Sequence, residues 1–185
     1  MSRDQILARV RKNQPPAVAL PEVPLFDAAV QDFKTNLERM GGEFLEGEAA
    51  ALIRDKFPHA GVICSAAPEV PGNRPLPDDP KLLADVDLGV VRARFGVAET
   101  GSVWLSEREF GVNALGFLPQ HLVVLLDPKS IVPNLHHAYR HPAFREARYA
   151  VFMTGPSATA DIEGVLVRGA QGIRSLTVIA QAEPA

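Results

Sequence analysis

The chain has 185 residues, 46% of them apolar, 22% charged and 6% aromatic, which suits one domain of ordinary size with a short appendage. Its net charge of −3 supplies no basic field for a nucleic acid. The single cysteine, Cys64, excludes an internal disulfide framework and any iron–sulfur or zinc cluster built from this chain's own thiolates. No apolar run approaches the roughly 18 residues of a membrane span, and Met1-Ser2-Arg3-Asp4-Gln5 lacks the apolar core of a signal peptide. A soluble cytoplasmic protein is expected, with neither membrane nor nucleic acid as partner.

A first helix is expected over 3–13. Ser2 caps it, Gln5 completes a capping box, and Ile6, Leu7 and Val10 form one narrow apolar face. The other face carries Arg3, Arg9, Arg11 and Lys12 against Asp4 alone. Residues 14–24 hold four prolines and no periodicity, which marks a linker. The chain therefore divides into a basic helix with its linker, 1–24, and a single domain, 25–185.

Phe26, Val30, Phe33, Leu37 and Met40 recur at helical spacing, and Gly41-Gly42 ends that helix. A short strand at 43–45 precedes a helix over 48–57, and 61–65 reads as a buried strand. Five prolines between 68 and 80 mark a second loop. Strands are then expected at 88–95, 102–105, 122–126 and 149–153, with a helix over 129–139 and a short helix from about Ala158. A last strand at 176–180 closes the sheet. Strands apolar on both faces, alternating with helices, predict a three-layer α/β fold with a mostly parallel sheet covered by helices.

Gly-x-Ser-x-Gly, His-Glu-x-x-His and the Walker A lysine are all absent, and Gly164, Gly169 and Gly172 do not form a dinucleotide fingerprint. Three segments could still carry chemistry. In Ala98-Glu99-Thr100-Gly101, Glu99 offers a base or nucleophile, with Thr100 and Gly101 able to approach a ligand. The plainer reading is a tight turn in which Glu99 pairs with Arg92, Arg94 or Arg108.

In the second segment, a buried strand runs through Thr154-Gly155-Pro156-Ser157 into the expected helix, bringing free N–H groups to an anion. Thr159 and Asp161 lie in that helix's first turns, and simple capping explains Ser157, Thr159 and Asp161 equally. The third segment holds His136, His137 and His141 beside Arg140, Arg145 and Arg148. His137 and His141 have metal-ligand spacing, but Pro142 ends the helix and no carboxylate stands at ligand spacing, so no metal site is expected.

Three stretches together resemble a known family. They are 95–103 (Phe95-Gly96-Val97-Ala98-Glu99-Thr100-Gly101-Ser102-Val103); Leu118-Pro119-x-His121 with Ile131-Val132-Pro133; and 154–163, from Thr154-Gly155-Pro156-Ser157 to Glu163. In order and spacing they are similar to the LUD domain of the lactate utilization protein C family, over about residues 87–179.

The resemblance implies a NagB/RpiA/CoA-transferase-like fold. It also implies an accessory or subunit role in oxidising L-lactate to pyruvate beside iron–sulfur partner proteins, with the clusters in those partners and no cofactor in this chain. The alternative is a stand-alone enzyme of CoA-transferase or cyclo-ligase type that binds an anionic small molecule through Glu99 and 155–157. A second copy of the chain is a further candidate partner. Where relatives carry Gly-Val-His-Gly-Pro, this chain has Gly169-Ala170-Gln171-Gly172-Ile173, and Gln171 cannot titrate near neutral pH.

Overall fold

The computed structural model describes residues 2–19, 21–22, 30–160 and 163–182. In chain order the first half carries α1 (Arg3–Lys12), α2 (Val30–Arg39), β1 (Glu43–Glu46), α3 (Ala49–Lys56), β2 (Ile63–Ser65), β3 (Leu88–Arg92), β4 (Phe95–Val97) and β5 (Ser102–Ser106). The second half carries α4 (Glu107–Phe110), β6 (His121–Leu126), β7 (Ile131–Val132), α5 (Leu135–Arg140), α6 (Ala143–Glu146), β8 (Ala150–Met153), β9 (Ala158–Thr159), β10 (Val167–Arg168) and β11 (Ser175–Ala180).

The expected capping box starts α1: Gln5 N–H donates to Ser2 Oγ at 3.3 Å and Ser2 N–H to Gln5 Oε1 at 2.9 Å. None of its residues is buried, and Ile6 and Val10 stay about half exposed. Residues 14–19 and 21–22 form neither helix nor strand. Phe26 lies outside the described residues.

Five strands form a wholly parallel sheet in the order β1-β11-β6-β3-β2. Along β6, Leu122, Val124 and Leu126 face one core and Val123 and Leu125 the other. Burial on both faces is why this strand reads as an unbroken apolar run instead of an alternating one. Ala49 and Ile53 of α3 cover the second face. Phe33 and Leu37 of α2, both fully buried, pack into the first. The α/β class and the mostly parallel sheet flanked by helices are as expected.

A separate four-stranded sheet, β7-β4-β5-β8, was not distinguished in the sequence. Val103 and Leu105 of its β5 join Phe33 and Leu37 in the first core. Phe95 and Trp104, on its other face, pack under Ala138 of α5 and Ala143 of α6.

Three expected elements change. The strand foreseen at 88–95 is two strands in different sheets. Ala93 N–H still donates to Leu125 O of β6 at 2.8 Å, whereas Arg94 N–H donates to Trp104 O of β5 at 3.2 Å, so the ladder changes partner between them. The helix foreseen at 129–139 is a 3-10 turn, a short strand and a shorter helix. Pro133 has no N–H and disfavours helical backbone before it. Ile131 and Val132 therefore pair with Gly96 and Val97, and α5 starts only after Asn134, whose Oδ1 accepts from His137 N–H at 3.1 Å. No helix begins at Ala158: it and Thr159 pair antiparallel with Arg168 and Val167.

Candidate functional site

The 98–101 turn and the 154–157 segment meet at the C-terminal end of α2. Asn36 of that helix donates through Nδ2 to Ala98 O at 2.9 Å. Gly101 (φ +66°) lies so close that an added Cβ would stand 2.1 Å from Leu37 N, and one at Gly155 (φ +84°) would stand 2.6 Å from Met40 O. Positive φ and backbone contact both require glycine at these two positions. Between them the hydroxyls of Thr100, Ser102 and Thr154 form a chain: Thr100 Oγ1 and Ser102 Oγ are 2.7 Å apart, and Ser102 Oγ is hydrogen-bonded to Thr154 Oγ1. Ser102 is buried.

Glu99 is exposed and pairs with none of the arginines considered for it. Its Oε2 accepts Leu135 N–H at 3.1 Å and its own N–H donates to Pro133 O at 2.9 Å, so it holds the start of α5 beside Asn134. Arg92 is ion-paired with Glu69 and Arg108 with Glu146.

Ser157 turns away from this cluster. Its hydroxyl donates to the Gln171 carbonyl, its N–H to Ile173 O at 3.0 Å, and its own carbonyl accepts Gly169 N–H at 2.7 Å. The helix start expected after Pro156 is not formed, because a strand follows, and the Ser157 N–H is already paired. Gln171 meets Ser157 through its backbone, so that contact is indifferent to the side chain at 171. Thr159 lies in β9, and Asp161 falls outside the described residues.

Of the residues expected to approach a ligand, Thr100, Gly101, Thr154 and Gly155 come together, and Asn36 and Ser102, not among those expected, join them. The available signal was an amide in α2 between the two core positions Phe33 and Leu37.

The histidines do not converge. His141 lies past the end of α5, stacks on Phe95 with ring centroids 4.4 Å apart, and accepts Ala143 N–H at Nδ1. Burial, and then the Arg94 guanidinium, hold its pKa below the ordinary value. His121, of the Leu-Pro-x-His motif, starts the central strand β6 at the amino end of the parallel sheet, with Nδ1 2.7 Å from Ser175 Oγ. Burial lowers its pKa as well, with Arg174 adding to the effect. Among the described residues no three His, Cys, Asp or Glu side chains group as metal ligands, and no helix is long and apolar enough to cross a membrane.

The carboxyl ends of the parallel strands, where open α/β sheets collect ligands, lie elsewhere. There a cavity of about 280 Å³ opens between the two sheets, lined by Arg92, Arg94, Arg108, Glu109, Asp127 and Ser130 among others.

A sequence model of the LUD domain matches residues 80–180, which includes both glycine turns and the cavity's arginines. Lactate utilization protein C of Deinococcus radiodurans is 32% identical over 111 residues, 56% of this chain and 52% of that protein. The Geobacillus thermodenitrificans protein of the same name is 32% identical over 46% of this chain and 38% of its own length. The protein YkgG of Escherichia coli is 31% identical over 75% of this chain and 55% of its own. The chain thus spans about half the length of these curated relatives. The crystal structure of a DUF162 family protein from Deinococcus radiodurans shares the fold, with TM-score 0.65, 19% identity, and 82% of this chain and 94% of that one covered.

Proposed function

Since this chain belongs to the LUD domain family, we propose that it serves lactate utilization as an accessory or subunit protein of an L-lactate-oxidising system in the cytoplasm. In this reading lactate is oxidised to pyruvate, and the electrons pass to iron–sulfur partner proteins. The family match over 80–180, together with relatives named lactate utilization protein C, is the observation that carries it.

The site geometry favours an accessory role over a stand-alone enzyme. Glu99 is engaged in capping α5, and the Thr100–Ser102–Thr154 hydroxyls bond to one another across the joint. Glu99 Oε2 and the three hydroxyls thus each make a contact that holds a loop. One buried cysteine cannot supply the thiolates of a cluster from this chain alone, which suits a division of labour with partners.

The test is growth on L-lactate as sole carbon source of a strain deleted for the gene and carrying no second copy. The deletion should fail on L-lactate and grow normally on pyruvate. Wild type should restore growth, and so should Glu99→Gln, whose amide oxygen still accepts the Leu135 N–H. Normal growth of the deletion on L-lactate would sink the reading. Failure of Glu99→Gln alone, with the variant folded, would move Glu99 from loop residue to catalyst.

A further inference from the structure

We infer that the cavity at the carboxyl ends of the parallel strands is a binding site for a small monocarboxylate, with Arg94 as its anion partner. Two chain crossings between the sheets make the cavity. Residues 93–94 pass from β3 to β4 on one side, and 127–130 lead from β6 to β7 on the other. The first turn of α4 closes it with Arg108 and Glu109.

Of its three guanidiniums, two are already engaged. Arg92 is ion-paired with Glu69 and donates to Gln181 O at 2.9 Å; Arg108 donates to Glu146 Oε2 at 2.9 Å. Arg94 is exposed at the rim and has no ion pair or side-chain hydrogen bond among the described residues. An unpaired guanidinium in a concave site presents a planar fork of donors matched to a carboxylate.

The rest of the lining sets the charge the ligand can carry. Glu109 and Asp127 face the same space, each with one oxygen held by a backbone N–H (Ser106 at 2.8 Å, Lys129 at 2.9 Å). A carboxylate such as Glu109 in the lining repels a dianion such as phosphate more strongly than a monoanion. The volume, about 280 Å³, falls just under the roughly 300–1,000 Å³ of sites for drug-sized ligands, so a metabolite-sized acid fits and a CoA ester does not. The inference deepens the proposed function by naming a ligand class, and rests on that reading only for its choice of acids as probes.

The experiment is calorimetric titration of the purified chain with L-lactate, pyruvate and inorganic phosphate, in wild type, Arg94→Gln and Arg140→Gln. Arg140 is an exposed arginine on α5 away from the cavity and serves as the control. At least one acid should bind saturably and more tightly than phosphate. Arg94→Gln should weaken it by about tenfold or more, as expected for losing a charge-assisted pair, and Arg140→Gln should leave it unchanged. Circular dichroism checks that Arg94→Gln is folded. No saturable binding of either acid, binding that survives Arg94→Gln, or a preference for phosphate would each overturn the site. A deletion strain that fails on L-lactate while the chain binds no acid would remove this inference and leave the pathway role standing.

Discussion

Gly101→Ala should destabilise the protein by at least about 3 kcal/mol, because two penalties coincide there. A left-handed residue that gains a Cβ costs about 1–2 kcal/mol by itself. At Gly101 (φ +66°) the new atom would also stand 2.1 Å from Leu37 N and 2.6 Å from its Cα. These are backbone atoms of α2, so no rotamer change relieves them; the helix must move. Moving it withdraws the fully buried Phe33 and Leu37 from the main core and strains the Asn36 bond to Ala98 O.

Gly164 is the internal control, since its φ is +71° and nothing described lies within 4 Å of an added Cβ. Gly164→Ala should therefore show the conformational penalty alone, about 1–2 kcal/mol. Chemical denaturation of both variants measures the difference. Equal losses would mean that α2 does not press on the turn as the structure has it.

Trp104→Ala should cost about 3–5 kcal/mol, the range for emptying a large aromatic site in a packed core. Trp104 is 2% exposed, stacks on Phe95 at 5.3 Å and 13°, and touches Phe144 at 5.6 Å. This ring layer ties the second sheet to α5 and α6, so its loss should loosen the α5 start that Glu99 and Asn134 cap. Trp104→Phe keeps the stack and should recover much of the loss. As Trp104 is the sole tryptophan, unfolding of the variants is followed by circular dichroism. A loss below about 1 kcal/mol for Trp104→Ala would contradict the packing described.

How much of this was legible beforehand depended on range. Elements set by local chemistry were readable: Ser2 and Gln5 at the start of α1, Gly41-Gly42 after α2, the two-faced apolar run of β6. Elements set by a distant partner were not. Nothing near Ala93 signals that its N–H bonds to β6 while the next residue's bonds to β5, so one expected strand became two. Ile131 and Val132 have the apolar character of a helix face and are drawn into a strand by Gly96 and Val97.

The same limit governed the site. The glycines and hydroxyls of 98–101 and 154–157 stood out as motifs, but their common partner, the end of α2, lies about 60 residues from the first and over 100 from the second. The helix expected after Ser157 rested on capping chemistry that a hairpin strand also accommodates. Arg94 looked in sequence like one of several arginines able to pair with Glu99. Only the fold shows Arg92 and Arg108 already engaged and Arg94 left at a cavity.

In the proposed role this chain works in lactate oxidation together with partner proteins. The most direct measurement is L-lactate-dependent dye reduction in extracts of the deletion strain, with and without added purified chain. The purified chain alone should give no turnover, the extract alone weak activity, and the two combined restored activity. Turnover by the chain alone, or full activity in the extract without it, would contradict that claim.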